Sequence, residues 1–167
     1  ASADRRCGPA NDLPGAAVTI NMSVPASTFT VDTTNAQNHT TTGSCTCTSG
    51  NDVFYNFTIP AGAPELIYAD TLGSSFDTSL FVQTSAGVNV TNLLPGGVSC
   101  NNDGGLSGCG TGTRSQILLR LDPGSYRLVL SGCAAGAATL NFQHLPIGNG
   151  TLTALALGSS SPMGTTS

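Results

Sequence analysis

Short segments that alternate apolar and polar residues, cut by Gly, Pro, Asn and Ser, decide what this chain can fold into. Residues 53–59 (VFYNFTI) put Val53, Tyr55, Phe57 and Ile59 on one side and Asn56 and Thr58 on the other. Residues 115–121 set Ile117, Leu119 and Leu121 against Gln116 and Arg120. Residues 125–130 set Tyr126, Leu128 and Leu130 against Arg127, and residues 138–143 set Leu140 and Phe142 against Thr139, Asn141 and Gln143. A period of two is the signature of half-buried strands. No 12-residue window carries the 3.6-residue spacing of an amphipathic helix. Further strands are expected over 17–21, 28–32, 65–71, 79–83 and 88–91, and Asp122-Pro123-Gly124 reads as a hairpin turn. Many short strands with turn signals between them predict an all-β, antiparallel β-sandwich.

The surface of such a sandwich has to be hydrated in an unusual way. Charged residues make up 8% of the 167, where about 25% is ordinary, and there is no Trp. The basic residues are five scattered arginines, at 5, 6, 114, 120 and 127, and the net charge is −4. Nucleic acid is excluded as a partner, because a phosphate-tracking surface needs clustered Lys and Arg. No apolar run approaches the 18 residues of a membrane span. The six cysteines, Cys7, Cys45, Cys47, Cys100, Cys109 and Cys133, lack zinc-type spacing and predict a disulfide-stapled fold from an oxidising compartment. Cys45 and Cys47 are expected to reach different partners, and Cys100 and Cys109 bracket a Gly-rich loop. Fifteen pairings are open. The first residues, ASADRRCG, read as a mature terminus. Five sequons, at Asn21, Asn38, Asn56, Asn89 and Asn149, are candidate glycosylation sites. The localisation expected from all this is extracellular or at the cell surface.

Catalysis finds little to work with. Residues 74–82 (SSFDTSLFV) approach an aspartic-protease loop, but Ser79 and Leu80 follow Asp77-Thr78 where that chemistry has Gly, and no second such loop supplies the paired carboxylate. GSSFD is not the nucleophile elbow of a serine hydrolase, and His39 and His144 are isolated in sequence. Glu65 is the only Glu, and the eight Asp fall mostly in turns, which gives a glycosidase no evident pair. Asp70, Asp77, Asn101 and Asp103 are oxygen ligands of the type calcium takes, and Asn102 adds another, although CNNDGG is also plain turn composition. Calcium is the one candidate cofactor. Phe76, Leu80 and Val82 share the core side of one strand. Asp77 then stands just before that strand, where its carboxylate accepts turn N–H groups or shares a cation with Asp103. On that reading Asp77→Asn costs stability.

Several segments in order resemble one family pattern. CGPANDLPGAAV (7–18), DVFYNFTIPAG (52–62), GSSFDTSLFV (73–82), VSCNNDGG (98–105), SQILLRLDPGSYRLVLSG (115–132) and ATLNF (138–142) are similar to the pre-peptidase C-terminal-like (PPC-like) domains of secreted bacterial proteins. The resemblance implies a jelly-roll/PPC-like sandwich and a non-catalytic module, usually appended to secreted hydrolases or surface proteins. In the Cys100-Asn101-Asn102-Asp103 loop, Asn stands where the pattern often has Asp. Cys45, Cys47 and the residues after Gly148 lie outside the pattern.

The expected organisation is therefore a sandwich over 1–148, followed by a strand and a Ser/Thr-rich tail over 149–167. Leu155 and Leu157 fall opposite Leu152, Ala154 and Ala156, so both faces of that strand want burial. A neighbouring copy of the chain is the simplest cover. Leu152, Leu155 and Leu157 would then set register in strand addition to an open sheet edge. The function this suggests is a structural or adhesive extracellular subunit, polymerising into a surface fibre. The alternative is an accessory module binding carbohydrate or protein for a secreted hydrolase, although glycan platforms stack on aromatic rings that are scarce here.

Overall fold

The computed structural model describes residues 8–39, 50–90, 99–104 and 112–147. The cysteines at 7, 45, 47 and 109, Asn149 and the expected strand with Leu152, Leu155 and Leu157 lie outside the described residues. Among the described residues, one 3-10 turn at Pro14–Ala16 is followed by nine strands: β1 (Val18–Thr19), β2 (Ala26–Asp32), β3 (Val53–Ile59), β4 (Glu65–Asp70), β5 (Thr78–Thr84), β6 (Cys100–Asn101), β7 (Gln116–Leu121), β8 (Gly124–Gly132) and β9 (Ala137–Pro146). They form two sheets, ordered β1-β3-β8-β5-β6 and β2-β9-β4-β7. Every pairing is antiparallel except that of β1 with β3. With β1 set aside, β2 to β9 wind as a jelly roll, the chain passing repeatedly from one sheet to the other.

The alternation in the sequence sets which side chains meet. Val53, Tyr55, Phe57 and Ile59 from β3 face Ile117, Leu119, Leu121, Leu140 and Phe142 across the sandwich, and all are buried in one cluster. Phe76, Leu80 and Val82 join the same cluster, although Phe76 stands before β5 rather than on it. Phe29 and Phe142 make tilted ring contacts with Tyr55 and Phe57, tying β2 and β9 to β3.

Three differences from the sequence expectation have physical causes. Asp122-Pro123-Gly124 is not a hairpin. β7 pairs with β4 in one sheet and β8 with β3 and β5 in the other, so the turn is an arch between layers. Its corner is closed by the Tyr126 hydroxyl, which donates to the Asp122 carbonyl at 2.8 Å. Residues 88–90, the described part of the strand expected at 88–91, make only one bridge, between Gln83 and Asn89, after a tight turn with Gly87 at φ +82°. The outer face of the first sheet is also not uniformly polar. Phe54, Val129 and Phe81 are cross-strand neighbours there, each at most 1% exposed, and Ala17 and Cys100 pack against them.

Candidate functional site

Of the four sheet-edge strands, two have only two residues each, β1 and β6. β7 is longer, and its Gln116 and Leu118 make further contacts. β2 is different. Its register with β9 runs unbroken from Ala26↔Gln143 to Asp32↔Ala137, with no bulge. In that same register the Thr33 N–H donates to the Gly136 carbonyl at 2.9 Å, and the His144 N–H donates to the Pro25 carbonyl at 3.1 Å. Hydrogen-bonded pairs alternate along an antiparallel ladder, so the odd residues 25 to 33 point their backbone groups at β9. Ala26, Thr28, Thr30 and Asp32 must then aim their N–H and C=O groups away from it, and nothing among the described residues bonds them.

The side chains match this lateral opening. Ala26, Thr28, Thr30 and Asp32 are exposed, while Ser27, Phe29 and Val31 face inward but are only half-buried. Phe29 and Val31, with Val18 and Met22, pack against the core while staying partly exposed, an apolar seam along its rim. The edge carries no Pro and no Lys, and its single charge is Asp32 at the end. Proteins ordinarily blunt long edges with such residues or with bulges.

The start of β2 is pinned by a buried pair that sequence reasoning passed over. His144 Nδ1 lies 2.6 Å from Glu65 Oε2, and both side chains are at most 7% exposed. His144 Nε2 lies 2.9 Å from the Val24 carbonyl, which can only accept, so Nε2 carries a proton. Glu65 and His144 are cross-strand neighbours of β4 and β9 once the register is known: Glu65 pairs with Pro146, two residues along from His144. A separation of 79 residues hid this in the sequence.

The residues considered for calcium divide between two places. Asp70 Oδ1 accepts from the Leu72 N–H and from Asn141 Nδ2, so it is spent on the end of β4. Asp77 and Asp103 lie close enough to interact. Burial, and next the Asp103 charge, raise the Asp77 carboxyl above its ordinary value, while Arg114 works in the opposite direction. Asn101 Oδ1 accepts from the Gln116 N–H. Among the described residues, no three His, Cys, Asp or Glu side chains gather to hold a metal. The Asp77 carboxylate does not hold the turn as expected, because its Oδ1 is buried without a hydrogen-bond partner. The turn is held by backbone and by Arg114, whose guanidinium donates to the Phe76 carbonyl at 2.8 Å, while the Cys133 N–H donates to the Asp77 carbonyl at 3.0 Å. Gly132 makes that close approach feasible: a Cβ there would stand 2.3 Å from the Asp77 carbonyl oxygen.

Cys100 and Cys133 are both disulfide-bonded. Asn21, Asn38 and Asn89 are exposed, whereas Asn56 is half-buried and accepts from Arg127 Nε. Among the described residues no helix is long and apolar enough to cross a membrane.

No family model and no curated protein matches the chain. Among solved structures, the pre-peptidase C-terminal domain of a collagenase from Bacillus anthracis is similar at a TM-score of 0.43 and 12% identity, over 77% of this chain and 94% of that one. That domain is of the kind the sequence motifs resemble.

Proposed function

We propose that this chain is a non-catalytic extracellular structural subunit that associates by strand addition at the free edge of β2. The observation that carries the reading is the row of outward backbone groups at Ala26, Thr28, Thr30 and Asp32. An added strand gains main-chain hydrogen bonds there and covers the half-exposed Phe29 and Val31. The acidic residues support a structural role because so many hold backbone in place. Asp12 accepts from the Gln37 N–H, Asp32 from the Thr34 N–H, Asp52 from the His39 N–H and Asp70 from the Leu72 N–H, while Glu65 is closed against His144. A hydroxyl-rich exterior with disulfide-bonded Cys100 and Cys133 suits an oxidising space outside the cell.

Thr30→Pro tests the reading. Thr30 donates nothing to β9, so proline removes an outward N–H and leaves the ladder intact. Electron microscopy and sedimentation velocity should show assemblies of the wild-type chain and monomers of the variant, with unchanged near-ultraviolet circular dichroism. A wild-type chain that stays monomeric overturns the proposal and favours an accessory binding module.

A further inference from the structure

We infer that the strand taken up by β2 is residues 151–157 (TLTALAL) of a second copy, with Leu155 and Leu157 turned into the seam beside Phe29 and Val31. This rests on the strand-addition reading above and names its partner.

Length, composition and position favour this occupant. The segment has seven residues, as β2 has, and it contains neither charge nor Pro. It alternates with period two, and Leu155 and Leu157 are two residues apart, the spacing of Phe29 and Val31. The residues it would cover, Phe29 and Val31, are apolar, which favours an apolar occupant.

The chain's own tail is badly placed for its own edge. β9 ends at Pro146, and the Ile147 N–H donates to the Pro64 carbonyl at 3.0 Å, on the β4 side. On the other side of β9, Val24 and Pro25 are held against His144. A strand added to β2 would lie two strand spacings from β9, roughly 10 Å. The four Cα steps from Ile147 to Thr151 span at most about 14 Å when fully extended, so a return to its own edge would have to cross about 10 Å and reverse within three residues. A neighbouring molecule imposes no such limit. Donation from the end of one sandwich to the side of the next is head-to-tail and need not close, which yields a filament.

The test uses the full-length chain in two forms. The first form, Leu155→Asp with Leu157→Asp, spoils the donor, and Thr30→Pro spoils the acceptor. Thr28→Pro serves as a second acceptor variant should Thr30→Pro fail to fold. Each form alone should raise the concentration needed for assembly by about 100-fold or more. Mixed, they should form one-to-one dimers and no longer species, because each mixture contains a single competent donor and a single competent acceptor. If the donor variant assembles like wild type while Thr30→Pro does not, the donor assignment falls and strand addition at β2 stands. If both variants assemble like wild type, both readings fall. If neither assembles alone and no mixed dimer forms, the donor assignment is likewise overturned.

Discussion

Asp77→Asn should stabilise the protein at neutral pH, against the sign that the sequence suggests. The Asp77 carboxylate has a buried oxygen with no donor, and Asp103 adds a like charge that Arg114 only partly offsets. The folded state therefore disfavours ionisation, and the carboxyl pKa is raised. A raised carboxyl pKa contributes stability below the unfolded value, near 3.9, and that contribution is lost as pH climbs through the folded pKa. Asparagine never ionises, so at pH 7 it avoids what wild type has lost. Part of the residue is open to water, and charge interactions at such sites are worth about 0.2–1 kcal/mol. A gain of about 0.5 kcal/mol is the working figure, which for a domain of this size moves Tm up by about 1–2 °C. The assay is thermal unfolding of both proteins from pH 3 to pH 8 in a chelator, repeated at pH 7 with calcium in place of the chelator. The difference should be largest near pH 7 and vanish below about pH 4. Destabilisation at pH 7, or a gap independent of pH, would refute the reasoning. A calcium-dependent rise in wild-type Tm that the variant lacks would restore a cation-bracing role for Asp77 and Asp103.

Three further substitutions probe the features that fix the fold. Gly132→Ala forces a Cβ into the Asp77 carbonyl and the Phe76 ring, so chemical denaturation should show a loss of about 2 kcal/mol or more. His144→Leu strips the partner from a Glu65 that is 4% exposed and should cost about 3 kcal/mol, much of it recovered in the Glu65→Leu, His144→Leu double variant. Recovery that fails in the double variant would show that the pair acts through something other than buried charge. Tyr126→Phe removes the hydroxyl that closes the β7–β8 arch, and urea titration should register a loss of about 1 kcal/mol.

Alternation made most of the core legible. Val53 to Ile59 on β3, Leu140 and Phe142 on β9, and Leu80 and Val82 on β5 all fall on the side their spacing assigns. What period two cannot convey is which strands become neighbours. Asp-Pro-Gly favours a reversal whether the strands it joins share a sheet or not, so the arch at 122–124 reads like a hairpin. Phe54, Phe81 and Val129 each occupy the polar side of their own pattern. Their mutual burial emerges only when β3, β8 and β5 are laid side by side. The candidate site was less legible still. The outward set on β2 follows from ladder bonds at its two ends, formed with residues more than 100 positions away, and no local pattern in ASTFTVD encodes them.

The order of strands in the second sheet also governs when the molecule can exist. β9 is the last described strand, yet it lies between β2 and β4 and bonds to both. A chain emerging from its amino terminus therefore holds β2 without a partner until residues 113 positions later arrive, as the Thr28–Asn141 hydrogen bond shows. Contacts this distant make for slow closure. Throughout that interval both edges of β2 lack a ladder partner. Premature pairing between incomplete chains is the hazard this topology creates, and a holding factor during secretion would act on that species. Only completion of β9 reduces the two open edges of β2 to one, so the edge proposed to accept a strand would take its final form at the same moment folding finishes.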